Sequence, residues 1–328
     1  MNSNHPWLRR FSKLVCFSTL FLIFAGSMVT STASGLAVPD WPLSYGMLFP
    51  PMVGGVFYEH GHRMIAAAVG FLTLILAFWL GFSREEKWLK ILGFCALGAV
   101  ILQGVLGGVT VLLMLPPAVS ISHAVLSQTF FIITIVIAYG LSKGRNSRSF
   151  LNAEGFPKFE KSALILAVFV YLQLIAGALM RHTQSGLAIP DFPTMGGTFL
   201  PFFDQSMLST INQWRFDMNL EPVTIGQVII HFIHRIIAAI ITALVIFLNY
   251  RAFKLRIGDL KILSTLFILD VLILLQLTLG IYTIWSVKQP LITSLHVMTG
   301  AAILGISALL TLQSAPVSIK GKNVLSLS

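Results

Sequence analysis

The sequence has few charged residues and very few acidic ones. Only 10% of its 328 residues are charged and just 12 are acidic, whereas 56% are hydrophobic. The apolar residues fall in runs of about twenty, the length that a helix needs to cross roughly 30 Å of hydrocarbon. This composition excludes an ordinary soluble domain and predicts a polytopic membrane protein.

Cysteine is almost absent as well. Cys16 and Cys95 both lie in or beside apolar runs, so the sequence offers neither a metal-ligand spacing nor a disulfide in a loop. The net charge of +10 would suit a nucleic-acid partner. The basic residues, however, lie in short loops between the apolar runs, where they set the orientation of the spans. No nucleic-acid partner is therefore expected.

The apolar runs predict eight membrane spans, which place both termini on one side of the membrane. On that side the loops and tails hold seventeen Lys and Arg residues, whereas the opposite side and its span mouths hold five. The positive-inside rule therefore predicts cytoplasmic termini. The predicted spans are at about 14–33, 59–82, 89–114, 120–142, 162–181, 225–249, 262–286 and 291–313.

Two long outer loops begin with nearly the same sequence. Residues 34–42 read SGLAVPDWP, and residues 185–193 read SGLAIPDFP, an offset of 151 from Ser34 to Ser185. Four histidines repeat in the same way, with offsets of 172 and 173: His62 with His234, and His123 with His296.

These repeats indicate an internal duplication. Each half has an even number of spans, so the halves are predicted to lie parallel, related by an axis along the membrane normal. The predicted fold is an all-α membrane protein of eight transmembrane helices arranged as two duplicated four-helix bundles. The expected units are residues 1–142, a cytoplasmic linker at 143–161, and residues 162–328.

The four repeated histidines lie in the first turns of spans that all run inward, so they share a depth near the outer face. Histidines from alternate helices of a bundle can face each other, and two opposed imidazoles suit the axial ligands of a haem iron. Small residues such as Ala66–Ala68, which follow His62, leave room for the macrocycle. The alternatives are hydrogen bonds between helices, and zinc, for which the second half has no carboxylate beside its pair.

One carboxylate shares the ligand face of the first half. Glu59 lies one turn before His62 and maps to His231 in the second half, so only the first half keeps an acid there. A carboxylate beside a reacting group can move protons or stabilise positive charge, and an interfacial pair with Arg63 is the alternative. Arg63 and Arg235 are candidate partners of haem propionates, or cations that reach the interface.

Other polar residues in or near the spans are expected to be structural. Gln103 and Gln276 are predicted to form hydrogen bonds between helices. His60 and His182 are predicted to be solvated or interfacial, and Asp270 to make a polar contact between helices.

The chain resembles the heme A synthase family of cytochrome oxidase assembly. The resemblance is carried by the duplicated loop sequence, by a Glu three residues before His-Arg, and by a single His opening the fourth span, all repeated with His in place of Glu. It implies oxidation of a methyl group of heme O to a formyl group, through a hydroxymethyl intermediate, which gives heme A.

The resemblance also implies residue roles. It assigns His234 and His296 as the axial ligands of a haem b iron, and the substrate porphyrin to His62 and His123 beside Glu59. Many bacterial members have a cysteine pair in the first outer loop. Here Ser44 occupies that stretch, which excludes a disulfide relay in this chain.

The expected location is the plasma membrane of a bacterium. The expected partners are heme O, with a heme O synthase as its candidate donor, membrane lipid, and an unidentified electron-transfer partner or quinone; a homo-oligomer is one option for the assembly. The competing interpretation is a di-haem b electron carrier that exchanges electrons with quinone. A transporter is a third, and it would be expected to have broken helices.

Overall fold

The computed structural model describes residues 5–142 and 156–315, and within them the regular structure is helical. Eight of the helices are long and apolar enough to cross a membrane, which confirms the predicted number, and the shorter α6 lies in the second outer loop. The helices are α1 Pro6–Ser31, α2 Gly55–Phe82, α3 Lys87–Leu112, α4 Pro117–Gly140, α5 Phe156–His182, α6 Gln205–Asp217, α7 Ile225–Lys254, α8 Leu260–Trp285 and α9 Pro290–Ser314.

Local sequence signals begin several of these helices. Pro117 and Pro290 occupy the first helical positions of α4 and α9, where a missing N–H costs nothing. Thr224 and Gln227 form a reciprocal capping box at the start of α7, and the Asp259 side chain accepts from the first N–H groups of α8. These caps satisfy backbone donors where the chain leaves the outer and inner loops.

The structure adds α6, which the sequence analysis missed. Asp204 caps its first turn by accepting from the N–H of Met207, at 2.8 Å. Met207, Ile211 and Arg215 then share its buried face at a spacing of four residues. This short amphipathic pattern was the available signal, and it is weak beside the long apolar runs that surround it.

Contacts of α1 and α4 with α9, and of α4 with α5, join the two halves of the chain. Helix α1 packs on α2, α4 and α9, and α5 packs on α4, α7 and α9. At Gly305 the backbone of α9 comes so close to α4 that an added Cβ would lie 2.7 Å from Ile135 Cδ1. Glycine is therefore needed at this crossing.

Part of the predicted organisation stays a prediction. Residues 143–155 of the linker lie outside the described residues. Three further features are inferences from the sequence alone: the division into residues 1–142 and 162–328, the duplication, and the cytoplasmic termini.

The orientation can be measured by labelling. In a background of Cys16→Ser and Cys95→Ser, single cysteines at Asn146 and Ser206 should react with an impermeant thiol reagent from opposite sides of the membrane, because the linker and α6 are predicted to lie on opposite sides. Ser206 is exposed on α6, so its reagent access is unhindered. Labelling of both from one side would overturn the eight-span topology.

Candidate functional site

Each repeated histidine lies opposite a glycine of a neighbouring helix. In the first half, a Cβ at Gly26 of α1 would lie 3.0 Å from His62 Cε1, and a Cβ at Gly107 of α3 would lie 3.4 Å from His123 Cε1. These approaches exist because neither glycine has a side chain. The glycines thus fix how near the imidazoles lie to the adjacent helix.

The second half repeats this arrangement. A Cβ at Gly177 of α5 would lie 3.7 Å from His234 Cε1, and a Cβ at Gly280 of α8 would lie 3.1 Å from His296 Cε1. The two imidazoles face each other, with ring centres 6.5 Å apart and planes inclined by 55°. Helices α7 and α9 thus bring together residues that are far apart in the sequence, as predicted for His234 and His296.

Glutamines tie the histidine helices to their neighbours. Gln103 Nε2 donates to the backbone oxygen of His123 at 2.8 Å, which is the contact between helices that the sequence predicts. Gln276 Nε2 lies 3.4 Å from His296 Nε2. Gln173, which the sequence analysis did not identify, donates to the backbone oxygen of His234 at 2.9 Å.

One ring nitrogen of each repeated histidine has no hydrogen-bond partner. In all four rings Nδ1 is buried and forms no hydrogen bond within the described residues. A buried nitrogen without a partner costs free energy. The rings concerned are those of His62, His123, His234 and His296.

The second-half pair fits a haem iron better than a bare metal ion. With a metal–nitrogen bond of about 2 Å on each side, two imidazoles on opposite faces of one iron have ring centres roughly 6 Å apart. The observed 6.5 Å agrees with that value. No cluster of three or more His, Cys, Asp or Glu side chains suited to a metal ion occurs in residues 5–142 and 156–315. A zinc site would need such a cluster.

Glu59 is held between its own helix and the first outer loop. It is 4% exposed. Its Oε2 accepts from the N–H of Val38 at 2.8 Å, and its Oε1 pairs with Nη2 of Arg63 at 2.6 Å. Arg63 in turn donates to three loop carbonyls, those of Val38, Asp40 and Leu43. The carboxylate and the guanidinium therefore fasten the loop to the start of α2.

His231 makes the matching contacts in the second half. Its Nδ1 accepts from the N–H of Ile189 at 3.1 Å, and its Nε2 lies 3.3 Å from Nε of Arg235. Arg235 donates to the carbonyls of Ile189, Asp191 and Thr194. An imidazole thus replaces the carboxylate at the same place in the structure, as the sequence mapping of Glu59 to His231 indicates.

The aspartate of the first loop closes it into a turn. Asp40 accepts from the N–H groups of Tyr45 at 2.7 Å and Gly46 at 2.8 Å. The hydrogen bonds from Gly46 and Tyr45 lower the pKa of the Asp40 carboxyl, because they stabilise its ionised form. Gly46 has a φ of 71°, which favours glycine.

The second loop closes in the same way. Asp191 accepts from the N–H groups of Gly196 at 2.9 Å and Gly197 at 3.0 Å. Partial burial acts to raise the pKa of Asp191, but these hydrogen bonds, together with one from the Thr194 side chain, outweigh it and lower the pKa on balance. Both aspartates of the duplicated sequence therefore have a structural task in the loops above the histidines.

The remaining candidate residues, His60, His182 and Asp270, have different environments. His60 was predicted to be solvated or interfacial, and the solvated alternative is wrong: it is only 7% exposed and its Nδ1 lies 2.8 Å from Ser44 Oγ, because the outer loop folds back over it. His182 is half-buried at the end of α5. Asp270 accepts from Asn249 Nδ2 at 2.8 Å, the contact between helices that was expected.

The fold and the site define a polytopic membrane protein with two pairs of histidines beneath outer loops, an arrangement suited to haem. The chain belongs to the cytochrome oxidase assembly protein family COX15-CtaA, whose family model matches residues 53–308. The resemblance found in the sequence is thereby confirmed.

Relatives in this family extend over most of the chain. It is 29% identical over 282 residues to the heme A synthase of Bacillus licheniformis, covering 83% of this chain and 84% of that protein. It is 27% identical over 311 residues to the heme A synthase of Halalkalibacterium halodurans, covering 90% and 92%. It is 30% identical over 188 residues to the heme A synthase of Symbiobacterium thermophilum, covering 56% and 61%.

Proposed function

We propose that this chain is a heme A synthase, an oxidoreductase that converts a methyl group of heme O to a formyl group through a hydroxymethyl intermediate. The observation that carries this proposal is membership of the family together with similarity to heme A synthases along nearly the whole chain. The alternative of a di-haem electron carrier is not favoured, because it accounts for the histidines but not for these relatives.

In the second half, His234 and His296 would hold a haem b as its two axial ligands. The facing rings and their 6.5 Å separation support this assignment. Bound there, the haem would supply one-electron redox chemistry. Gln276 and Gln173 would position the two histidines from α8 and α5.

In the first half, His62 and His123 would bind the porphyrin of heme O. Glu59 lies one turn before His62 and is held on that face by Val38 and Arg63. Such a fixed carboxylate can accept a proton or stabilise positive charge on a reacting carbon without first reorganising. We assign it the catalytic role.

Arg63 and Arg235 would contribute little to binding propionates. Most of their guanidinium hydrogens are committed to Glu59 or His231 and to loop carbonyls. Within the described residues, Arg63 keeps its Nε–H and Arg235 keeps one hydrogen on Nη1 as donors for a propionate. Their first task is to hold the loops above the two histidine pairs.

The remaining assignments follow from this function. Heme O is the substrate and a heme O synthase is its proposed donor in the bilayer. We propose a multi-pass protein of a bacterial plasma membrane, with cytoplasmic termini and with lipid and an electron-transfer partner as further contacts.

The function is tested by extracting haems from cells that make this chain together with a heme O synthase. Heme A should appear only when both proteins are present, and chromatography separates it from heme O. Unmodified haem with a b-type spectrum would instead select the electron carrier.

The glycines opposite the second-half histidines provide a graded prediction. Gly280→Ala places a methyl group 3.1 Å from His296 Cε1, so the ring must shift and the low-spin haem b absorbance should fall severalfold, since overpacking typically costs about 1–3 kcal/mol. Gly177→Ala is the matched control, because its methyl group would make an ordinary contact 3.7 Å from His234 Cε1. Equal spectra for the two variants would contradict the assigned packing.

A further inference from the structure

A groove separates α7 and α8 near the inner end of the bundle, away from the histidines. Its volume is about 490 Å³. Phe253 and Phe267 form its rims and are 84% and 68% exposed, so it opens toward lipid. The buried side chains of Ala252 and Leu266 lie deeper, beside Asn249 and Asp270 of the polar contact described above.

The corresponding position of the first half is closed. There a Cβ at Gly93 of α3 would lie 2.9 Å from Leu80 Cδ1 and 3.4 Å from Ala77 Cα, both of α2. The offsets that relate the histidines, 172 for α2 and α7 and 173 for α3 and α8, place Leu266 at Gly93 and Ala252 at Leu80. Leu266 is bulkier than the corresponding Gly93, so it holds α8 away from α7. Ala252 is smaller than the corresponding Leu80, so the space between the two helices stays unfilled.

Two polar residues of the groove, Asn249 and Asp270, are also confined to the second half, whereas Arg256, which lines the groove too, corresponds to Arg84. By the same offsets, Asn249 corresponds to Ala77 and Asp270 to Leu97. A carboxylate at membrane depth is costly without a partner and marks a functional site by default. The groove and its polar floor therefore occur together, in one half of the chain.

The floor of the groove presents acceptors. Asn249 Nδ2 uses its two hydrogens on the Val245 carbonyl at 3.0 Å and on Asp270 Oδ1 at 2.8 Å. Within the described residues, Asn249 Oδ1 and Asp270 Oδ2 accept no side-chain hydrogen bond. A ligand that satisfies them must donate hydrogen bonds.

We propose that this groove binds the ring of a lipid-soluble hydroquinone. Its hydroxyl groups would donate to Asp270 and Asn249, its flat ring would fit between Phe253 and Phe267, and its apolar tail would lie in lipid. The volume lies within the range of about 300–1,000 Å³ that small-molecule sites occupy. A phospholipid acyl chain would fill the space but would leave Asp270 Oδ2 and Asn249 Oδ1 without a donor. This binding site goes beyond the proposed function and does not depend on it.

The test uses the purified full-length chain in phosphatidylcholine nanodiscs and a decyl-hydroquinone that carries a photoactivatable azide. Wild type should be labelled saturably within residues 249–270. Asp270→Leu should weaken the apparent affinity about tenfold or more, because hydrogen bonds to a charged group are lost, whereas Asp270→Asn retains an acceptor and should retain labelling. Ala252→Leu introduces the leucine that occupies the corresponding position 80 of the first half. This side chain should fill the groove and abolish labelling.

Ala243→Leu is the matched control, since it adds the same side chain at an exposed position of α7 outside the groove lining. Labelling that is equal in all variants, or that excess phospholipid displaces whatever residue stands at 270, would overturn the proposal. Heme A formation is measured separately in cells. If wild type forms heme A in cells but is not labelled, the hydroquinone site is wrong and the proposed function stands. If wild type is labelled but forms no heme A, the proposed function is wrong and the hydroquinone site stands.

Discussion

Replacing Glu59 with Ala is expected to reduce heme A formation by about a hundredfold or more, the usual cost of losing an acid–base group. The haem b spectrum should persist, because the second-half histidines belong to α7 and α9 and do not contact Glu59. Heme O or its hydroxymethyl derivative should accumulate. The measurement is the haem profile of co-expressing cells, compared with the amount of purified protein.

Glu59 also holds the outer loop, so the conservative variant Glu59→Gln is the decisive control. Its amide oxygen can still accept from the N–H of Val38, but it cannot pair as a carboxylate with Arg63. If the carboxylate takes part in the chemistry, the Gln variant should fail almost as badly as the Ala variant. If Glu59 only fastens the loop, the Gln variant should recover much of the activity.

The variant His231→Ala separates loop fastening from chemistry in the other half. It removes the matching acceptor of the Ile189 N–H without touching the first-half site.

Wild-type heme A in Glu59→Ala cells would reduce Glu59 to a structural partner of Arg63. Loss of the haem b spectrum in that variant would also contradict the catalytic assignment.

Replacing either His234 or His296 with Ala is expected to eliminate the low-spin haem b spectrum. The two rings face each other at 6.5 Å, so each variant would remove one of the two proposed ligands and should leave a high-spin or empty site. Optical and electron paramagnetic resonance spectra of the purified protein measure this directly, independently of heme A formation.

Equivalent substitutions in the first half serve as the comparison. His62→Ala and His123→Ala should leave the second-half haem b signal intact and reduce heme A formation, since those side chains belong to the other pair. An unchanged low-spin spectrum in both His234→Ala and His296→Ala would refute the ligand assignment.

Much of the arrangement could be predicted because its signals are local or repeated. A run of apolar residues identifies a span wherever it lies, since the cost of exposing backbone in hydrocarbon forces a helix. The repeat selected four histidines of eight, and the structure shows His234 facing His296. Short amphipathic α6 escaped prediction because thirteen residues give a weak pattern.

Contacts between distant segments could not be predicted in this way. The loop partners of Glu59 and Arg63 are backbone carbonyl and N–H groups some twenty residues earlier, and every residue has a backbone carbonyl and every residue but proline an N–H. His60 gave no sign that the loop would bury it under Ser44. Backbone groups have no sequence signature, so only the folded chain shows which ones a side chain meets.

The sequence by itself determined the eight spans, the positions of the repeated histidines and the likeness to one family. The tertiary structure decided the rest: which glycine lies against each imidazole, and where α7 and α8 separate into a groove. The physical reason is that hydropathy and repetition are properties of a segment. Helix separation instead depends on the volumes of side chains such as Leu266 and Ala252, which belong to different helices and meet only after folding.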